Sequence, residues 1–310
     1  PPLGFKQKRL EMKKTKVLST KAKRNRQGYL YVLPWVVGVL CFQFGPIVLS
    51  FFLSFTKYSM FGTPDFIGIE NYKSLFNDVL FTTSTAVTFK YVFMSVPFKI
   101  IFALIVALIM NQKIRGVNFY RTAYYIPSIF GSSIAVSIIW KMLFVKDGII
   151  NLLLEQVGIE GPAWLGDGKL VIPTLALLSV WQFGSSMVIF LAGLKQIPSS
   201  YYEAASVDGA GRMRKFISIT IPGIMPMITY NLLMQTINAF QVFAPPYTIF
   251  GNGNGPLNQG LVLALYLYRN AFRYFDMGYS AAISWSLLVM IAATAFVIHL
   301  IDKRINQMVE

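Results

Sequence analysis

Six runs of apolar residues, each about as long as a bilayer is thick, alternate along this chain with short polar connections; they fall at 29–55, 84–110, 120–144, 170–193, 224–250 and 277–301. A hydrocarbon core of roughly 30 Å takes about 20 residues of helix. Because no water reaches that layer, each segment must satisfy its own backbone, which a helix does. The pattern therefore predicts an all-α integral membrane protein with six transmembrane helices over 29–301, preceded by a segment at 1–28 and followed by a short tail at 302–310. Tyr and Trp gather where runs end, as at Tyr29, Tyr31 and Trp35 or Tyr124 and Tyr125, where amphipathic rings sit at the membrane surface. Prolines in or beside the runs, Pro34, Pro46, Pro97 and Pro127 among them, predict kinks, and the adjacent Pro245 and Pro246 must disturb the fifth run near its end. No strong internal repeat or low-complexity tract is visible, and no connection is long enough for a second folded domain.

Composition agrees with the pattern. Hydrophobic residues make up 55% and charged residues 13%, against a usual charged share of roughly 25%, and mean hydropathy is +0.55. The net charge of +15 is not spread as a nucleic-acid surface would be, since ten of the 28 Lys and Arg lie between Lys6 and Arg26, ahead of the first run. A polybasic block against an apolar span predicts a cytoplasmic N-terminus. The alternate loops then also lie inside, with Lys113, Arg115 and Arg121, then Lys195, Arg212, Arg214 and Lys215, then Lys303 and Arg304, whereas the outer loops hold Lys57, Lys73, Lys146, Lys169, Arg269 and Arg273. The bias predicts both termini on the cytoplasmic side. The residues before Gln27 do not read as a cleaved signal peptide, because their basic run has no apolar core followed by small residues. With one cysteine, Cys41, and one histidine, His299, both in apolar runs, the chain offers no disulfide framework and no Cys-based metal cluster.

The most structured polar connection is 194–223. Ser200 with Glu203 three residues on predicts a capping box that starts a short helix, and Gly209 is placed to close it in the left-handed conformation. A second helix is predicted from about Arg212, with Phe216 and Ile219 at helical spacing, until Pro222 and Pro226 redirect the chain. The reading is two short helices joined by a glycine turn on the inner membrane face.

Glu203-Ala204-Ala205, then Asp208-Gly209-Ala210, Phe216, Ile219, Ile221-Pro222 and Pro226, resembles the EAA signature of bacterial ABC-importer permeases, which usually carry Leu where Ile221 stands. The residues from Phe66 to Phe76, Gly116 with Phe119-Tyr120-Arg121, and Gly251 to Pro256 resemble further segments of the carbohydrate group that takes up maltose, raffinose, lactose and glycerol phosphate. The resemblance implies the type I importer permease fold, with Glu203, Ala204, Ala205, Asp208 and Gly209 forming a coupling helix that docks an ATPase subunit. It also implies a bacterial cell membrane location and a set of partners: a second homologous permease, two ABC ATPase subunits, an extracytoplasmic sugar-binding protein, membrane lipid and a sugar substrate, with no nucleic acid. ATP and Mg would sit on the ATPase subunits. This fits a chain without a Gly-x-x-x-x-Gly-Lys-Ser/Thr phosphate loop, so that no cofactor is expected here.

A sugar crossing a bilayer needs hydrogen-bonding groups along its way, so polar residues inside spans are the candidates for a substrate path. The fifth run offers Asn231, Gln235 and Asn238 at i, i+4 and i+7 on one helical face, with Gln241 nearby; such amides either line a path or bond helices together. The fourth run adds Ser179, Trp181, Gln182, Ser185 and Ser186, where serine equally serves close packing. Lys99 falls near the middle of the second run, a costly place unless it pairs, snorkels or meets a water-filled cavity; it faces a partner subunit, attracts an acidic sugar or sugar phosphate, or marks a span boundary set too early. Two other classes were weighed. A membrane-embedded enzyme would want acidic or histidine residues clustered at one face, and a proton-driven transporter would want carboxylates within the spans; the apolar runs hold none.

Overall fold

The computed structural model describes residues 28–112, 115–131, 133–251 and 253–309; the basic block at 6–26 and Lys113 lie outside them. Helix α1 (Gly28–Leu53) is apolar on all sides and stays almost wholly unburied within the chain, touching the rest mainly near its C-terminal end, where the Phe51 ring lies 4.8 Å from that of Trp285. One turn at Leu40–Phe44 is wider than α-helical; Pro46 has no N–H for the normal bond, and the Gly45 N–H reaches back to the Leu40 carbonyl. Strands β1 (Thr56–Lys57) and β2 (Asp65–Phe66) pair antiparallel, Thr56 opposite Phe66, and lead into α2 (Glu70–Asn77). The buried Asn71 side chain donates to the Ser54 and Thr56 carbonyls, both at 2.9 Å, and so fastens α2 to the end of α1.

Helix α3 (Val79–Met110) is the axis of the molecule. Its buried face carries Val87, Val96, Ala103 and Ala107, small enough for α7, α8 and α11 to pack closely against it. Asp78 caps its start by accepting from the Leu80 N–H at 2.8 Å. At its far end the Arg121 guanidinium donates to the Met110 carbonyl at 2.6 Å, a cation on the negative helix end.

The third, fourth and fifth apolar runs are broken rather than straight. Helices α4 (Val117–Phe130) and α5 (Ile134–Phe144), the latter continued by α6 (Ile149–Gln156), meet at 101°. At the break Gly131 takes φ +50° and Ser133 caps the new helix by accepting from the Val136 N–H. Helices α7 (Gly168–Trp181) and α8 (Gly184–Gln196) meet at 48°. Helices α9 (Ser199–Val207) and α10 (Arg212–Gly223) form the predicted two-helix loop, and α10 turns by 64° into α11 (Met225–Phe240), continued by α12 (Ala244–Phe250). Pro245 and Pro246 thus do not kink one helix. They open a new one after a break at 241–243, where a missing N–H costs nothing.

Helix α13 (Leu263–Phe272) is held by its Leu263 N–H, which donates to Thr88 Oγ1 of α3 at 2.8 Å. The last helix, α14 (Met277–Val309), continues unbroken past the predicted end of the sixth span. Counting each broken pair as one span, the described residues hold up to six helices long and apolar enough to cross a membrane.

Candidate functional site

The breaks in the two middle spans lie against each other and complete each other's hydrogen bonding. Gln182 Nε2 donates to the Gly131 carbonyl at 2.6 Å, and Ser128 Oγ both donates to the Gln182 carbonyl at 3.0 Å and accepts from the Ser185 N–H at 3.1 Å. Backbone released by a broken helix inside a membrane must find such partners. Gly184 makes the approach possible: any Cβ there would collide with the Tyr124 carbonyl and come within 2.7 Å of Tyr125 Cα.

Beside this junction, between α3, α7, α8 and α11, lies a cavity of about 490 Å³. It gathers seven of the ten residues predicted for a substrate path: Gln235, Asn238 and Gln241 from α11 and its C-terminal end, Ser179, Gln182 and Ser185 from the fourth span, and Lys99 from α3. Phe243 and Pro245, at the break before α12, form part of the same wall. Gln235, Asn238 and Gln241 make no side-chain hydrogen bond among the described residues. Lys99 is 9% exposed, sits well inside α3 and has no hydrogen-bond or ionic partner there, so it does not mark a displaced boundary.

Three predicted residues lie elsewhere. Asn231, at 0% exposure, donates to the Met227 carbonyl at 3.0 Å and leaves Oδ1 buried without a partner. Ser186 Oγ is likewise buried and unpartnered. Trp181 is exposed within this chain, its ring 6.2 Å from that of Trp140. The i, i+4, i+7 face of α11 therefore splits, with its upper two amides in the cavity and its lowest in the packing below.

At the end of the bundle where α11 begins, the 194–223 loop stays anchored in the core through Leu194 and Ile197, while its middle, from Ser199 to Ile217, projects outward. Gly209 takes φ +73°, and the Ala210 N–H donates to the Ala205 carbonyl at 2.8 Å, the closure expected of a left-handed glycine. The capping box does not form: the cap falls two residues earlier than predicted, at Pro198 rather than Ser200, α9 begins at Ser199, and no side-chain bond is made there. Glu203 is consequently uncommitted and exposed, with Ala204, Asp208 and Gly209. Tyr201, Val207, Met213 and Ile217 project as exposed apolar side chains around them. Beneath, the Tyr202 hydroxyl and Thr220 Oγ1 are 2.9 Å apart, and Lys215 Nζ donates to Ser206 Oγ at 2.6 Å, so α9 and α10 form one unit. Thr229, one turn into α11, bonds Asp302 of α14.

Two polar clusters at the opposite end were not anticipated. The buried Arg269 donates to the Gly251 and Gly253 carbonyls, at 3.1 and 2.7 Å, and to Asn254 Oδ1, holding the glycine-rich turn that resembled the family's. Asp78 accepts from the hydroxyls of Tyr266 and Tyr279, joining α3, α13 and α14. In sequence Arg269 reads as one more loop charge; the glycines ahead of it, whose carbonyls no side chain shields, were the available signal.

A bundle of broken apolar helices with a polar internal cavity and an exposed two-helix loop at one end is the layout of a transport permease. The chain belongs to the family of binding-protein-dependent transport system inner membrane components, which it matches over residues 29–307. It is 48% identical over 278 residues to the probable ABC transporter permease protein YesP of Bacillus subtilis, covering 89% of this chain and 90% of that one. It is 33% identical over 273 residues to the arabinooligosaccharides transport system permease protein AraP of the same species, covering 87% and 86%. Among solved structures it resembles a chain of a bacterial ABC transporter that imports the acidic polysaccharide alginate, with a TM-score of 0.79 and 21% identity over 93% of this chain and 99% of that one. The fold is thus that of an all-α ABC-importer permease.

Proposed function

We propose that this chain forms half of the translocation pore of an ATP-driven importer of oligosaccharides, beside a second, homologous permease. Two ATPase subunits on the cytoplasmic side carry out the hydrolysis, with ATP and Mg bound to them, and an extracytoplasmic binding protein delivers the sugar; the permease itself is not catalytic. The observation that carries the reading is the pairing, on one stretch of chain, of an exposed docking loop and a polar cavity: α10 of the loop runs directly into α11, whose Gln235 and Asn238 reach the cavity wall. The names of the similar permeases, among them one for arabinooligosaccharides, favour a sugar as cargo, and unpartnered amides are suited to sugar hydroxyls.

In this reading Glu203, Ala204, Ala205, Asp208 and Gly209 seat in a cleft of an ATPase subunit, and closure of the ATPases tilts the loop and α11 together, opening the cavity to one side of the membrane and then the other. Gln235, Asn238, Gln241, Ser179 and Ser185 line the sugar's path. Gln182 shares the wall but mainly holds the span break, and Asn231, Ser186 and Trp181 support the packing. Both termini and the docking loop face the cytoplasm, the orientation favoured by the distribution of Lys and Arg.

The test is co-purification of the tagged chain expressed with its genomic neighbours. Wild type is expected to retain an ATPase subunit, and Gly209→Pro to lose it while remaining membrane-inserted; Glu203→Ala is expected to weaken recovery. A well-folded wild type that brings down no ATPase overturns the proposal.

A further inference from the structure

The cavity contains one charge that transport of a neutral sugar does not require. Lys99 projects from the middle of α3 into a wall whose other described residues include amides, hydroxyls, apolar side chains and the phenol of Tyr91, but no Asp, Glu, Arg or His. It is about nine-tenths buried and has no hydrogen-bond or ionic partner among the described residues. An ammonium group this deep in a membrane protein is expensive unless something answers its charge. Among the described residues nothing does, and the free space it faces is the proposed cargo's own path.

We propose that the missing counter-charge is carried by the cargo: the cavity takes short oligosaccharides bearing a uronate, whose carboxylate pairs with Lys99 while Gln235, Asn238 and Gln241 engage neighbouring hydroxyls. The inference rests on the importer reading above and names its substrate class. A carboxylate matches the single positive charge, whereas a phosphomonoester, at about −1.5 to −2 near neutral pH, leaves charge over. A lysine also suits a passing ligand, because its flexible stem and compact charge follow a carboxylate without the fixed two-point grip of a guanidinium. The volume is in the ordinary range for small-ligand sites.

The experiment uses the whole transporter, this chain with its co-encoded permease, ATPase and binding protein, in proteoliposomes. These are offered an equal mixture of short uronate-bearing oligosaccharides and the same compounds methyl-esterified at the carboxylate, and uptake is read by mass spectrometry. Wild type is expected to favour the acids. Lys99→Met should lower acid uptake about tenfold or more, the scale of one lost charge-assisted hydrogen bond, while ester uptake and ATPase retention persist, and Lys99→Arg should keep much of the preference. If wild type carries the esters as well as the acids, or Lys99→Met leaves acid uptake unchanged, the importer reading stands and the uronate inference falls. If an intact, ATP-hydrolysing complex takes up neither form, the uronate inference is likewise overturned. If no ATPase is retained at all, the importer reading falls and takes this inference with it.

Discussion

At the scale of single residues, the polar groups of this chain divide into those that bond protein and those left free for something else. Gln182 belongs to the first kind although it lines the cavity: its Nε2 satisfies the Gly131 carbonyl. Gln182→Leu leaves that carbonyl bare in a membrane interior, a loss of about 1–3 kcal/mol, and should lower the melting temperature of the detergent-solubilised protein. Asn238→Ala, with no bond to lose, should leave it unchanged. A reversed order of the two variants in a thermal scan contradicts the division. Asp78 is a second bonding residue. Partial burial raises its carboxyl, but the hydroxyls of Tyr266 and Tyr279 and the Leu80 N–H outweigh this and hold it below the ordinary carboxylate value. A depressed value means that the ionised form stabilises the fold; the contribution is present above about pH 4 and is lost as pH falls through the lower folded value. Asp78→Asn should therefore melt below wild type at pH 7, with the gap closing in a series taken to lower pH.

At the scale of elements, the number and place of the spans were legible in the sequence because burial in lipid demands long apolar runs, and nothing else in the chain imitates them. The prolines announced the turn into the fifth span and its break near Pro245, but the breaks in the third and fourth spans were not legible. The run 120–144 is interrupted by polar residues around Gly131, but what answers the carbonyl freed there is another span's Gln182, a tertiary fact invisible to periodicity. The same limit applies to the site: helical spacing placed Asn231, Gln235 and Asn238 on one face of α11, but how far down that face the cavity extends depends on the packing of α3 and α14, which leaves Asn231 sealed. Local chemistry was readable in part: Gly209 takes the left-handed turn its position called for, whereas the capping box expected of Ser200 and Glu203 is not made. Gly184 gives the element-scale prediction. Because a Cβ there meets the backbone of α4, which cannot yield as a side chain tip can, Gly184→Val should force α4 and α8 apart at a cost of about 1–3 kcal/mol. The expected signs are a lower melting temperature and faster limited proteolysis near Gly131; unchanged behaviour in both assays means the two helices are not packed as described.

Across the whole molecule, loop and cavity must be mechanically one body if ATP-driven motion at one is to reach the other. Three features join them: the Tyr202–Thr220 and Lys215–Ser206 bonds make α9 and α10 a unit, Thr229 and Asp302 tie α11 to α14, and the fully buried Ile224 fills the 64° corner between α10 and α11. The corner is where stiffness is most easily removed without touching either site. Ile224→Gly deletes the buried side chain and frees the backbone at the joint. In reconstituted transporter it should leave ATPase recovery near wild type while sugar moved per ATP hydrolysed falls several-fold, because the loop then tilts without carrying Gln235 and Asn238 with it. Thr229→Val should produce a smaller loss of the same kind, since it removes only the lateral tie. Loss of ATPase recovery in Ile224→Gly would place the corner inside the docking platform, and an unchanged ratio of sugar to ATP would mean that motion reaches the cavity by a route other than α11.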